Sequence, residues 1–272
     1  ASHGSEIWVD PMGGAAFTGP GGTRLYYKDA LDRFKVTAHV YRVGTFKSAV
    51  EPYLRSDQSP EAEEALLAVY RPIWENWQAV VKKARPQADI AGLINDPAGA
   101  VTAASGDLVK IATDRKIVDK VGDRTMFGKR VAKLAGADED EGPGAFKHTS
   151  LKDWVAANPA KTGGDEVQVV TIAGTIVDGE AGPGTAGGDR IEKLLHDGLK
   201  RDNVKTLVVR VDSPGGSGFA CEQLRRAIEE YRARKIPVIV SMGNVAASGG
   251  YWVSTAGDAI FAEPSTITGS IG

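Results

Sequence analysis

Residues 204–250 read VKTLVVRVDSPGGSGFACEQLRRAIEEYRARKIPVIVSMGNVAASGG. In order, they give an apolar, β-branched run at Thr206–Val211, a Gly-Gly turn, an amphipathic segment at Ala220–Arg234, a second apolar run at Pro237–Ser241 and another small-residue turn. Short β-branched runs bounded by Gly and Pro read as strands, and apolar residues at helical spacing between them read as a helix. Working outward, Val167–Val177 predicts a buried strand, 179–188 a Gly-rich loop and Asp189–Arg201 a helix. Strands alternating with helices argue for an α/β fold on a parallel sheet, whose strand ends are the natural place for a site.

Upstream the pattern changes. Glu6–Val9 predicts a strand, Leu25–Phe34 a short helix and Thr37–Val43 a strand of alternating exposure. Ser59 is placed to cap a long helix with Pro60 in its first turn, and Leu66, Tyr70, Ile73, Trp77 and Val81 form one apolar face, with a kink expected at Pro72. Those aromatics read as core packing. Helices are expected at 106–121 and 126–134, and a short one near Leu151–Ala157 lies in a Gly- and acid-rich linker, 136–165.

The chain has 272 residues and a net charge of -2, enough to bury a core and without the basic footprint that phosphate backbones require, so nucleic acid is excluded as a partner class. A single cysteine, Cys221, excludes an internal disulfide and a thiolate metal cluster. The first residue is Ala1 and the last residues are Ser-Ile-Gly, which leads us to expect a piece of a longer protein with any targeting segment outside it.

Residues 1–19 resemble residues 254–272 at a constant offset: Gly4 matches Gly257, Ile7 matches Ile260, Pro11 matches Pro264 and Gly19 matches Gly272. We therefore expect two tandem repeats. The division expected is 1–135 as the C-terminal part of a first repeat, 136–165 as linker and 166–272 as the N-terminal part of a second.

Two motifs carry chemistry. Asp212-Ser213-Pro214-Gly215-Gly216-Ser217 joins a strand to a helix, and paired glycines there let backbone N–H groups approach a ligand as an oxyanion hole requires. A tight turn is the plainer alternative. Gly243–Gly250 surrounds one hydroxyl, Ser248, with small residues, although Ala246 stands where the Gly-x-Ser-x-Gly elbow has its first glycine. Taken alone, Ser248 equally fits a small residue packed under a helix.

A serine nucleophile needs a base. None of His3, His39, His148 and His196 has a context that singles it out, although a Ser-His-Asp triad stays open because spatial partners are often distant in sequence. Lysine is the other choice when burial or a nearby cation favours its neutral amine. Lys47, beside Phe46, Ala49 and Val50, has the apolar company such a role needs.

The strings RVGTFKSAVEP (42–52), DSPGGS (212–217), AASGGYW (246–252) and TGSIG (268–272) together resemble the signal peptide peptidase A family, in its long double-repeat bacterial form. The resemblance implies a Clp protease/crotonase-like spiral of repeated ββα units, with each of two repeats incomplete here. It implies peptide hydrolysis through an acyl-enzyme, with Ser248 as nucleophile, Lys47 as general base, Ser270 orienting the lysine, and backbone N–H groups among Gly215, Gly216 and Gly249 holding the oxyanion. It implies no cofactor and no metal. Cleaved signal peptides and other extended peptides are the implied substrates, and a homotetramer on the outer face of the bacterial cytoplasmic membrane the implied setting. At the repeat offset the first repeat's counterpart of Ser248 falls before Ala1 and the second repeat's counterpart of Lys47 falls beyond Gly272, so the serine and lysine here come from different repeats. Two rivals use the same fold: a crotonase-like acyl-CoA enzyme, which needs the Gly-Gly donors but neither Ser248 nor Lys47, and a non-catalytic assembly subunit.

Overall fold

The computed structural model describes residues 1–17, 19–159 and 163–271. The chain forms two compact units, Ala1–Pro159 and Ala160–Gly272.

The first unit is helical around a two-stranded parallel ladder. Its elements are β1 (Trp8–Val9), α1 (Lys28–Arg33), a 3-10 turn at Ser48–Tyr53, α2 (Pro60–Ala84), α3 (Ile90–Asn95), α4 (Pro97–Ala103), α5 (Leu108–Asp114), β2 (Lys120–Val121), α6 (Arg124–Ala135) and α7 (Leu151–Ala157). Ser59 caps α2 as expected, its hydroxyl accepting from the Ala62 N–H at 3.1 Å, and the helix continues through the exposed Pro72. Helices α3 and α4 were not anticipated, yet each opens on Asp-x-x-Gly: Asp89 accepts from Gly92 N–H at 2.9 Å and Asp96 from Gly99 N–H at 2.8 Å.

Two expected elements differ. The helix expected to reach 121 stops at Asp114, because Lys116 is left-handed (φ 55°) and the apolar Ile117 and Val118 turn into the core before β2 pairs with β1. Thr37–Val43 forms no strand. Tyr41 and Val43 are at least nine-tenths exposed, Ala38 and Val40 only partly buried, and no described strand runs beside the segment to pair with it.

In the second unit, β3 (Glu166–Ala173), β4 (Thr175–Val177), β5 (Thr185–Gly187), α8 (Gly188–Leu199), β6 (Val204–Ser213), α9 (Gly218–Ala233), β7 (Val238–Ala247), α10 (Gly249–Ser254), β8 (Ala259–Phe261) and β9 (Ile267–Gly269) follow in turn. The main sheet runs β3-β6-β7-β8, all parallel, with β9 pairing the far end of β7. This is the α/β class expected. The single strand expected at Val167–Val177 is two, because Gly174 (φ 82°) turns the chain so that β4 leaves the main sheet and pairs with β5, inside what was expected to be loop.

Inward residues of β6 and β7, among them Leu207, Val209, Val211, Val238 and Val240, are buried under α8 and α9, which contribute Ile191, Leu195, Leu224, Ile228 and Tyr231 at helical spacing. The Tyr231 hydroxyl donates to Gln168 Oε1 at 2.6 Å, so the one polar atom of that side chain is satisfied where it is buried.

Leu224→Ala removes a fully buried side chain from this core, and we expect it to cost roughly 2–5 kcal/mol in urea unfolding. In the first unit the Asp119 carboxylate is held below the usual range, chiefly by the Arg85 guanidinium and then by the Ile7 N–H at 2.7 Å. A lowered folded pKa stabilises above the unfolded value and that stabilisation is lost as pH falls through the folded one. Urea midpoints of the parent and Asp119→Asn should therefore differ most above about pH 4 and converge on acidification.

Candidate active site

β6 and β7 are adjacent and parallel, so their C-terminal ends deliver the two chemistry-bearing turns to the same edge of the sheet. Ser248 sits between β7 and α10 with φ 49° and ψ −119°, a backbone conformation that normally belongs to glycine. A non-glycine residue held there stores roughly 1–3 kcal/mol of strain. The neighbours hold it: Ser248 N–H donates to Gly269 O at 2.8 Å and its carbonyl accepts from Trp252 N–H at 2.9 Å. Its side chain is left half-buried and makes no cap bond to α10.

Space at the turn is set by glycines. A Cβ on Gly249 would stand 2.2 Å from Cys221 Sγ, and one on Gly250 2.5 Å from Ser213 O. Across from them, Gly215 (φ 93°) comes so close that a Cβ there would lie 2.5 Å from Gly249 N and 2.9 Å from Ser248 Cβ. Gly216 is pinned to β4, where Ser217 N–H donates to Ile176 O at 2.8 Å and Ile176 N–H to Gly215 O at 2.9 Å.

The backbone donors divide cleanly. Gly215 N–H donates to the buried Ser213 hydroxyl at 3.1 Å, and that hydroxyl donates to Gly174 O at 2.7 Å. Among the described residues, nothing accepts from Gly216 N–H or Gly249 N–H. The two glycines lie close together, the Cβ position of Gly249 being 3.3 Å from Gly216 N.

Asp212, whose role sequence reasoning missed, shapes the approach to Ser248. Val211 pairs with Met242 and Ser213 with Ala246, so three residues of β7 bulge opposite one of β6, and the Asp212 carboxylate accepts from Val245 N–H at 3.0 Å inside that bulge. The acidic residue after an apolar strand was the available signal.

Ser248, Gly216 and Gly249 open on a cleft of about 590 Å³ that Ser270 also lines, with Cys221, Glu222, Tyr251, Trp252 and Ile271. Ser270 follows β9 in a left-handed turn (φ 52°). No histidine lines this cleft among the described residues; His196 instead bonds Glu230 at 3.2 Å between α8 and α9.

Lys47 belongs to the first unit, where it precedes the 3-10 turn and is exposed rather than buried in the apolar company expected of it. Its carbonyl accepts from Arg42 Nη1 at 3.0 Å. Four residues on, Glu51 is buried and accepts from both the Ser59 hydroxyl and the Ser59 N–H, which locks the 3-10 turn to the start of α2. Ser59 holds that carboxylate below its usual range against the opposing effect of burial.

Comparison with known proteins adds to this geometry. The model of peptidase family S49 matches residues 1–138 and 230–272, more than half of the chain. The chain belongs to peptidase family S49. It is similar to Protease 4 of Salmonella typhi (42% identity, covering 100% of this chain and 44% of the relative) and to Protease 4 of Haemophilus influenzae (37%, 100% and 45%). It is similar also to the chloroplastic serine protease SPPA of Arabidopsis thaliana (28%, 98% and 39%). The chain thus spans less than half the length of these relatives. The S49 match includes Lys47, Ser248 and Ser270, whereas the Gly215-Gly216 turn lies outside its two stretches.

For this S49 chain, Asp212→Ala leaves Val245 N–H without its acceptor and should cost roughly 1–3 kcal/mol in urea unfolding. Asp212→Asn keeps an acceptor oxygen and should recover most of that loss.

Proposed function

We propose that this chain carries the Ser/Lys dyad of a serine endopeptidase. The observation that carries the reading is the strained turn at Ser248, beside two backbone N–H groups, of Gly216 and Gly249, that no described residue engages.

In the proposed mechanism the Lys47 amine takes the proton from Ser248 Oγ as that oxygen bonds to the peptide carbonyl carbon. The carbonyl oxygen becomes an oxyanion, held by the N–H groups of Gly216 and Gly249. Gly215, whose N–H is bound to Ser213, contributes the close approach rather than a donor. The tetrahedral adduct collapses, the C–N bond breaks, and the leaving amine receives the proton from the Lys47 ammonium. Water then attacks the acyl-enzyme carbonyl, giving a proton to Lys47; the C–Oγ bond breaks, the Lys47 ammonium returns that proton to Ser248 Oγ, and the peptide acid departs. Ser270 accepts a hydrogen bond from the lysine and orients it.

We read the two units as incomplete tandem repeats, 1–135 and 166–272, joined by the linker 136–165. At the repeat offset Trp8 of β1 corresponds to Phe261 of β8, and each lies in a short parallel strand, which supports the repeat. Membership of S49 supports peptide substrates. We propose that these are cleaved signal peptides and other extended peptides, cut by a homotetramer on the outer face of the bacterial cytoplasmic membrane. Among the described residues no helix is long and apolar enough to cross that membrane, so anchoring by a helix would fall to chain outside them.

The test is covalent labelling of the full-length protein by a serine-reactive fluorophosphonate, read by intact mass across a pH series. Labelling should fall on Ser248, rise as an amine deprotonates, and slow by roughly 10²- to 10⁴-fold in Lys47→Ala. Labelling that survives Lys47→Ala or follows a histidine-like titration would sink the lysine assignment. No labelling, with binding of coenzyme A, would instead favour the acyl-CoA chemistry of a crotonase-like fold.

A further inference from the structure

Among the described residues that line the cleft beside Ser248, one is a carboxylate, Glu222 on α9. An acid in that position looks like a receptor for a lysine or arginine side chain of the substrate. Its hydrogen bonds argue otherwise. Arg225 Nε reaches Glu222 Oε2 at 2.7 Å and Arg225 Nη2 reaches Oε1 at 2.9 Å, a bidentate pair. Arg226 Nε adds a second donor to Oε1 at 2.8 Å, and the indole Nε1–H of Trp252 adds a second to Oε2 at 2.9 Å. Each oxygen therefore accepts two hydrogen bonds, which uses the acceptor capacity of a carboxylate.

The fourth bond reaches into the site. Trp252 is one helical turn beyond Ser248, its N–H bonded to the serine carbonyl, and its ring, half exposed, lines the cleft with Tyr251, Cys221 and Ile271. An indole so exposed has little packing to hold its rotamer, and the bond to Glu222 supplies that restraint by tying α10 to α9. We propose that Glu222 is a positioning residue: saturated by Arg225, Arg226 and Trp252, it holds the Trp252 indole as one wall of the side-chain subsite beside Ser248. The subsite then takes an uncharged substrate side chain and discriminates against lysine and arginine. The surrounding charge agrees, because the carboxylate is held far below its usual range by Arg225 first, then by Trp252 and Arg226. It is an anion already matched by cations, with no unmet charge to offer a basic residue.

This inference rests on the peptidase reading, and its test separates the two. Full-length protein is given two peptides that differ only in the residue supplying the scissile carbonyl, leucine in one and lysine in the other. The parent should prefer leucine. In the double variant Arg225→Ala/Arg226→Ala, three of the four donors are gone, and the lysine-to-leucine ratio of kcat/KM should rise roughly tenfold, mainly through KM. Fluorophosphonate labelling of Ser248, which does not use the subsite, should stay within about twofold of the parent. An unchanged ratio with intact labelling overturns the proposal and leaves the peptidase reading standing. Where the double variant proves misfolded, Glu222→Ala decides: it removes the acceptor of the Trp252 indole and should raise KM for the leucine peptide, by loosening Trp252, without a gain for lysine, and an unchanged KM overturns the proposal. A parent that is unlabelled and cleaves neither peptide overturns the peptidase reading and this inference together.

Discussion

The second unit depends on backbone touching backbone where two parallel strands end. The Gly215-Gly216 turn, the β4 strand and the Ser248-Gly249-Gly250 turn approach so closely that a single added carbon has no room; on Gly216 it would lie 1.9 Å from Ile176 O. Only glycine permits that approach, and the approach sets which N–H groups are engaged and which remain. Gly215 N–H is directed to Ser213, a hydroxyl buried deep enough that it needs both its partners. The donors of Gly216 and Gly249 are left beside the serine.

Such a turn costs free energy locally, and the surrounding sheet holds it. Ser248 and Ser270 both have positive φ, and they are tied together through β9, whose pairing with β7 ends in the Ser248 N–H bond to Gly269. The Asp212 carboxylate fixes the bulge that precedes the serine. These restraints sit on a core of fully buried Leu207, Val209, Val211, Leu224 and Ile228, close-packed enough to transmit strain rather than relax it. Rigidity of this kind suits chemistry that needs preorganised donors.

How much of this was legible depended on whether the signal was local. β6, α9 and β7 were readable from β-branched runs and helical spacing because both faces of that pattern are satisfied inside one unit. The Ser59 cap and the helix at Leu151–Ala157 were readable for the same reason, as short-range hydrogen bonding decides them. Thr37–Val43 misled because its alternation carries no information about whether a partner strand exists. The split of the first strand at Gly174 and the capture of β5 from a Gly-rich loop required knowing which backbone lay opposite.

The sequence by itself determined the α/β class, the two turns, the serine, its glycines and the family resemblance, because residue type limits backbone freedom and nucleophilic capacity wherever the chain goes. Tertiary structure alone decided which of those glycines keeps its N–H unengaged, that Asp212 serves the bulge, and that Glu222 spends its acceptors on Arg225, Arg226 and Trp252. It decided as well that Lys47 is exposed on its own unit rather than buried. Each of these is a question of which atom occupies the last few ångströms around a polar group, and that depends on segments far apart in the chain meeting at hydrogen-bond distance.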